Sequence, residues 1–114
     1  MPTVQEYVRA DGSRPFRTWF NGLHAQAAAK VVTAVARLEL GNTSNVKWLG
    51  RLGEYRIDWG PGYRIYLARD GDELIILLGG GTKRRQQRDI ERAEAMLTEY
   101  RARNSRARRG KRDQ

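Results

Sequence analysis

Two arginine residues on the same face of two neighbouring strands can bind a phosphate group. The segment from Leu52 to Arg69 carries such a pair. Its sequence is LGEYRIDWGPGYRIYLAR, in which two alternating runs flank the Gly60-Pro61-Gly62 turn. Glycine reaches positive φ and proline presets a turn, so the segment predicts a β-hairpin. Because side chains alternate between the two faces of a strand, Arg56 and Arg64 are expected on one polar face.

The polar face of this hairpin also carries an acid and a phenol. If Pro61 lies at the centre of the turn, Asp58 is opposite Arg64, and Arg56 is opposite Tyr66. Asp58 is then predicted to form an ion pair with Arg64, which is a simpler role than that of a general base. Guanidinium groups that share a face match the geometry of phosphate oxygens.

Two further groups of basic residues flank the hairpin in the sequence. One follows the next strand, and the other precedes the hairpin. Convergence of basic side chains from three segments favours an anion-binding site. The basic residues outside the hairpin are Lys83, Arg84, Arg85 and Arg88 in the first group, and Lys47 and Arg51 in the second.

Other candidate motifs indicate no cofactor chemistry. The GGGTK segment, Gly79 to Lys83, lacks the order of residues in a nucleotide-binding phosphate loop. His24 has no nearby cysteine, serine or carboxylate cluster and is expected to face solvent. Trp19 and Trp59 lie on apolar faces, so only Trp48 remains a candidate for stacking on a base. We therefore predict no metal, no cofactor and no small-molecule ligand.

Composition restricts the class of protein. The 114 residues suit one domain, and the absence of cysteine excludes disulfides and thiolate chemistry. No segment has the length of apolar sequence that a membrane span needs, so we expect a soluble cytoplasmic protein. Of the net charge of +9, +6 lies from Arg101 onward, where seven basic residues accompany one acid. Such a basic balance suits phosphate-bearing partners.

The order of the predicted elements indicates an α+β fold. A weak strand at residues 3–9 precedes two helices, at about 15–23 and 25–40, whose apolar residues repeat at helical spacing. After a polar connection come the hairpin and a continuous apolar strand, Leu74–Leu78, ended by Gly79, and then a helix from about Arg84. We predict a small antiparallel sheet of about four strands in the order β-α-α-β-β-β-α. The domain is expected to span residues 1–103, and residues 104–114 to form a basic, disordered tail.

The segments GEYRIDWGPGYRIY and ILLGGGTKRRQQRDIERA, with the connection LGNTSNVKWLG, resemble the RelE/ParE superfamily of bacterial toxins. The likeness runs from about Phe16 to Tyr100 and is greatest to the HigB-like branch, the addiction-module killer proteins. It implies a RelE-like fold and the toxin of a type II toxin–antitoxin system. For most of this branch the implied activity is ribosome-dependent cleavage of messenger RNA, which inhibits translation and growth.

The resemblance also implies roles for particular residues. Arg56, Arg64 and Lys83 are similar to the basic catalytic positions of the family, whereas the groups that transfer protons stay open. RNA contacts are expected from Lys47, Arg51, Tyr66, Arg84, Arg85 and Arg88. The implied partners are messenger RNA on the ribosome and a cognate antitoxin of the helix-turn-helix, HigA-like type. The alternatives are a ParE-like inhibitor that binds DNA gyrase without chemistry, and a nucleic-acid-binding regulator.

Overall fold

A computed structural model describes the backbone of residues 1–112 and the side chains of residues 1–106. Five strands and three α-helices lie in this described part, and a 3₁₀ turn, Lys83–Arg85, precedes the last helix. Their bounds are β1 (Thr3–Glu6), α1 (Pro15–Asn21), α2 (Ala25–Glu39), β2 (Val46–Leu49), β3 (Leu52–Ile57), β4 (Tyr63–Asp70), β5 (Leu74–Thr82) and α3 (Gln86–Arg112).

The strands form one mixed sheet in the order β1-β5-β4-β3-β2, in which β1 is parallel to β5 and the other pairs are antiparallel. The predicted four-stranded antiparallel sheet is therefore wrong in two respects. The polar connection contains an additional strand, β2, which pairs with β3 across a turn where Gly50 has a φ of +68°. The helices α1 and α2 carry the chain from β1 to the opposite edge of the sheet, and no local pattern encodes the direction of β1 beside β5.

Helices cover the sheet on both faces. The α1 and α2 side and the α3 side each hold one cluster of buried apolar residues. Residues Ile75 to Leu78 of β5 are 0–3% exposed, which confirms that this apolar run is a strand covered on both faces. The α1 and α2 cluster comprises Phe16, Val31, Ala34, Leu38, Tyr55, Ile65, Leu67, Ile75 and Leu77, and the α3 cluster comprises Tyr7, Leu52, Tyr66, Ala68, Ile76, Leu78, Ala93, Met96 and Leu97.

The predicted hairpin is confirmed as β3 and β4, but its predicted register is wrong. Arg56 lies opposite Arg64, and Glu54 lies opposite Tyr66. The strands end at Ile57 and Tyr63, so Asp58 lies in the connecting loop and not in the ladder. Since the observed register differs from the predicted one by two residues, every side chain keeps its predicted face.

The three consecutive glycines do not end β5 as predicted, because the strand continues to Thr82. Their missing side chains instead admit two close neighbours. A Cβ atom at Gly80 would overlap the Trp19 ring, and one at Gly81 would overlap the Asp89 carboxylate. The glycine segment therefore lets α1 and the first turn of α3 approach the two faces of one strand.

Helix α3 continues beyond the predicted domain boundary at residue 103. Its backbone is helical as far as Arg112, and Asn104 Nδ2 is still 3.5 Å from Asp70 Oδ2 in the β4–β5 turn. The side chains of residues 107–114 lie outside the described part, as does the backbone of residues 113–114. The predicted basic tail, 104–114, therefore stays a prediction. Among the described residues, no helix has the length and apolar content needed to cross a bilayer.

Candidate functional site

A buried carboxylate, Glu54, organises the basic residues of the hairpin. Its side chain is 0% exposed and accepts hydrogen bonds from Arg56 Nε at 2.9 Å and Arg64 Nε at 3.0 Å. Gln86 Nε2 donates to the same carboxylate, at 2.9 Å from Oε2 and 3.1 Å from Oε1. One acid therefore connects β3, β4 and the first residue of α3.

The strand geometry explains why a carboxylate is needed here. Arg56 and Arg64 are direct cross-strand partners, and two like charges in this arrangement repel each other. Glu54 lies two residues before Arg56 and hence on the same face. Its negative charge lies between the two guanidinium groups and offsets their repulsion. The ion-pair partner of Arg64 is thus Glu54, and the predicted pair with Asp58 is wrong.

The surroundings of Glu54 keep it ionised. Burial acts to raise its pKa, but hydrogen bonds from Arg56, Gln86 and Arg64 outweigh burial and lower the pKa below the ordinary value of 4.5. A carboxylate that is stabilised in this way is a weak proton acceptor at neutral pH. Its geometry suits the orientation of the arginines better than the removal of a proton from a substrate.

Glu54 binds each arginine by the Nε edge and leaves terminal nitrogens available. Arg64 Nη1 donates to the Gly62 carbonyl at 3.1 Å, whereas Arg64 Nη2 has no hydrogen-bond partner within the described residues and is not a buried unpaired atom. Both terminal nitrogens of Arg56 are likewise without a described partner, and the Arg56 side chain is 47% exposed. Two oriented guanidinium groups therefore present N–H donors at one end of the sheet.

Lys83 lies at this end, in the 3₁₀ turn directly after β5. Its backbone N–H donates to the Gly62 carbonyl at 2.9 Å, so that carbonyl oxygen contacts both Lys83 and Arg64. Gly62 has a φ of +78°, and a Cβ there would lie 3.2 Å from Lys83 Cβ, which favours glycine at this position. The structure thus brings together the three predicted catalytic residues, which we name the cationic cluster: Arg56, Arg64 and Lys83.

The predicted RNA-binding residues divide into a near group and a distant one. Lys47 is exposed on β2 directly opposite Glu54 and so lies on the same face as the cationic cluster. Arg84, Arg85 and Arg88 are exposed in the turn after Lys83 and the first turn of α3. Arg51 lies in the β2–β3 turn at the opposite end of β3, so the structure does not bring it to the cluster.

Tyr66 does not have the surface position that was predicted for it. The residue is 1% exposed within the α3-side core, so its ring cannot stack on RNA in this arrangement. Its hydroxyl is buried without a described hydrogen-bond partner, and burial, with the nearby Glu54 and Asp89 carboxylates, raises its pKa. The phenol therefore stays protonated.

Asp89 is the second acid near the cluster. One of its carboxylate oxygens is also buried without a described partner, in contact with the backbone of Gly81. Burial raises the pKa of Asp89, against the opposing effect of Arg92, Arg85 and Arg88. Among the described residues, no three His, Cys, Asp or Glu side chains form a group that could hold a metal ion.

Sequence reasoning missed Glu54 and Gln86 as site residues. Strand alternation was a usable signal for Glu54, because a residue two positions from Arg56 shares its face. No comparable signal exists for Gln86, since its contact with Glu54 depends on where α3 docks on the sheet.

Comparison with known proteins identifies a relative of the chain. A protein of Haemophilus influenzae, described as uncharacterized, is 38% identical to it over 86 residues, which cover 74% of this chain and 87% of the relative. No model of a known protein family matches the chain.

Proposed function

We propose that this chain, which belongs to the same family as the Haemophilus influenzae protein, is the toxin of a type II toxin–antitoxin system and that it cleaves messenger RNA. The observation that carries the proposal is the cationic cluster. Glu54 fixes two guanidinium groups by their Nε edges, and their free terminal N–H groups lie at the same end of the sheet as Lys83. The likeness of the hairpin and glycine segments to the RelE/ParE superfamily, HigB-like branch, supports the same reading.

The chemistry required for RNA cleavage agrees with these residues. The 2′-hydroxyl of a nucleotide gives up its proton and attacks the adjacent phosphate. A bond forms between that oxygen and phosphorus, the bond from phosphorus to the 5′-oxygen breaks, and the 5′-oxygen takes up a proton as it leaves. Negative charge builds on the phosphate oxygens in the transition state, and preorganised cations stabilise it. We assign this role to Arg64 and Lys83, and the orientation of the phosphate to Arg56.

The cationic cluster contains no side chain suited to accept the proton that this reaction releases from the 2′-hydroxyl. Arginine stays protonated at neutral pH, Glu54 is engaged by three donors, and Tyr66 is buried. We therefore assign the positioning of the message, and part of the proton transfer, to the ribosome. Purified protein should then cleave naked RNA slowly and cut messages on ribosomes.

Substitution of the exposed members of the cluster tests this function. Arg56→Ala combined with Lys83→Ala removes two cations without removing a buried side chain, and loss of a transition-state donor reduces the rate by about 100-fold or more. Growth after induction, and mapping of the 5′ ends of cellular RNA, measure the effect. The control is Arg37→Ala, an exposed arginine of α2. Persistence of both growth arrest and new 5′ ends in the double variant would refute the assignment.

Inhibition of DNA gyrase is the second candidate function. The engagement of Glu54 by three donors leaves the cluster without an available carboxylate base, and this favours binding without chemistry. A ParE-like inhibitor would arrest growth with intact messages and would block supercoiling by purified gyrase. The same induced cultures distinguish the two functions, because only the nuclease produces new 5′ ends.

A further inference from the structure

An open groove lies at the end of the sheet opposite the cationic cluster. Its volume is about 870 Å³, and it lies among the β2–β3 turn, the β4–β5 turn and the C-terminal half of α3. The residues that matter for its chemistry are Trp48, Arg51, Arg69, Asp72 and Arg101. We call this the far groove.

Three arginines from three different elements line the far groove. Arg51 and Arg101 are exposed and form no ion pair with any described residue, and the Arg69 guanidinium lies 5.0 Å from the centroid of the Trp48 ring. Trp48 is 37% exposed despite its size. Unpaired guanidinium groups beside an exposed indole are the components with which proteins bind single-stranded nucleic acid.

The carboxylates of the groove favour a nucleic acid over an acidic peptide. Asp70 is engaged by the Tyr100 hydroxyl at 2.6 Å and lies near Asn104, whereas Asp72 has no described partner. A free carboxylate repels acidic side chains and phosphates alike, but it also accepts hydrogen bonds from the amino groups of bases, which an acidic side chain does not offer. The mixed lining therefore suits a strand that carries both phosphates and bases.

The far groove and the cationic cluster lie at the two ends of β3. Lys47 lies between them, on β2 opposite Glu54 and one turn away from Arg51. Arg56 and Arg51 are five positions apart on one extended segment, which corresponds to about 17 Å at the rise of a β-strand. A single strand bound at the cluster could reach the groove within a few nucleotides.

We propose that the far groove is a second nucleic-acid subsite, which binds the segment of single-stranded RNA that flanks the phosphate at Arg56, Arg64 and Lys83. Arg51 and Arg101 contact phosphates of this segment, and Trp48 with Arg69 forms the surface for a base. The inference rests on the proposed RNA substrate, but it requires binding only and not cleavage.

The test uses single-stranded oligonucleotides whose 2′-hydroxyls are replaced by hydrogen so that they cannot be cleaved by attack of that group. One has a length of about 12 nucleotides and spans both subsites, and the other has about 4 and covers the cluster alone. The variant Arg51→Ala with Arg101→Ala should bind the long strand about tenfold more weakly, with a shallower salt dependence. Its affinity for the short strand should equal that of the unaltered chain. Arg14→Ala with Arg37→Ala is the control of equal charge.

Three outcomes separate the proposals. Equal affinity of the double variant and the unaltered chain for the long strand overturns the far groove, whether or not the protein cleaves message. Weaker binding of the long strand in a protein that never cleaves message supports the groove and refutes the nuclease. If a peptide of glutamates depends on Arg51 and Arg101 while the long strand does not, the groove binds an acidic peptide and the RNA subsite is refuted.

Discussion

Glu54 shows at the scale of single residues how one buried acid can arrange several cations. Removing a charge from water is costly unless its hydrogen bonds are satisfied, and Glu54 has donors from Arg56, Arg64 and Gln86. Arg64 is itself only 7% exposed and depends on Glu54 for its counter-charge. The two charges therefore stabilise each other, and the removal of Glu54 leaves Arg64 buried without its counter-charge.

Glu54→Gln should lower the free energy of unfolding by about 3 kcal/mol at neutral pH, because Arg64 then stays buried without its counter-ion. Urea denaturation measures the change. The control Glu39→Ala removes an exposed acid at the end of α2 and should change stability by less than about 0.5 kcal/mol.

The pH dependence of this effect follows from the lowered pKa of Glu54. The group stabilises the folded chain fully above its ordinary pKa of 4.5, and this contribution is lost as the pH falls below 4.5 through the lower pKa of the folded state. The difference in stability between the unaltered chain and Glu54→Gln should therefore shrink in acid. A difference that stays constant across this range would show that the carboxylate charge is not the source of the stabilisation.

At the scale of secondary-structure elements, the glycines of β5 determine how closely the helices pack. Gly80 faces α1 and lies under Trp19, whereas Gly81 faces α3 and lies under Asp89. The two helices therefore approach the same strand from opposite faces. This packing places the first turn of α3, with Gln86, above Glu54.

Gly80→Ala should destabilise the fold by about 1–3 kcal/mol, because the added methyl group overlaps the Trp19 ring and forces it to move. Tryptophan fluorescence during urea denaturation reports both the displacement and the stability. Gly22→Ala is the matched control, since Gly22 has a φ of −85° and the nearest atom to its added Cβ is 3.5 Å away. An equally small effect of both substitutions would contradict the close approach of α1 to β5.

At the scale of the whole molecule, much of the positive charge belongs to three groups of residues, which are the cationic cluster, the far groove and the last residues of the sequence. The cationic cluster and the far groove lie at the two ends of the sheet, and the sequence after Arg106 adds four basic residues and one acidic residue. Charges spread in this way give an affinity for polyanions that is strongly dependent on salt. Sequence-independent binding and the chemistry at the cluster are therefore expected to be separable.

Replacement of residues 107–114 by a neutral segment of equal length tests this separation. The variant should bind single-stranded RNA with a salt slope that is lower by up to about 3, at 0.7 for each of four lost phosphate contacts. Its effect on growth, measured as in the test of the cationic cluster, should persist. Loss of growth arrest with an unchanged salt slope would instead indicate that these residues contact a specific partner.

The sequence by itself determined the hairpin, the two N-terminal helices, the buried strand β5 and the shared face of Arg56 and Arg64. These features depend on local periodicity, and a shift of the register by two residues preserves the face of every side chain. Tertiary structure alone decided that β2 joins the sheet and that β1 lies parallel to β5. It also decided that Glu54 and not Asp58 is the partner of Arg64, that Tyr66 is buried, and that Gln86 contacts Glu54. Each of these depends on which distant segments dock together, and the free energy of that docking comes from packing and ion pairing between segments that local patterns do not connect.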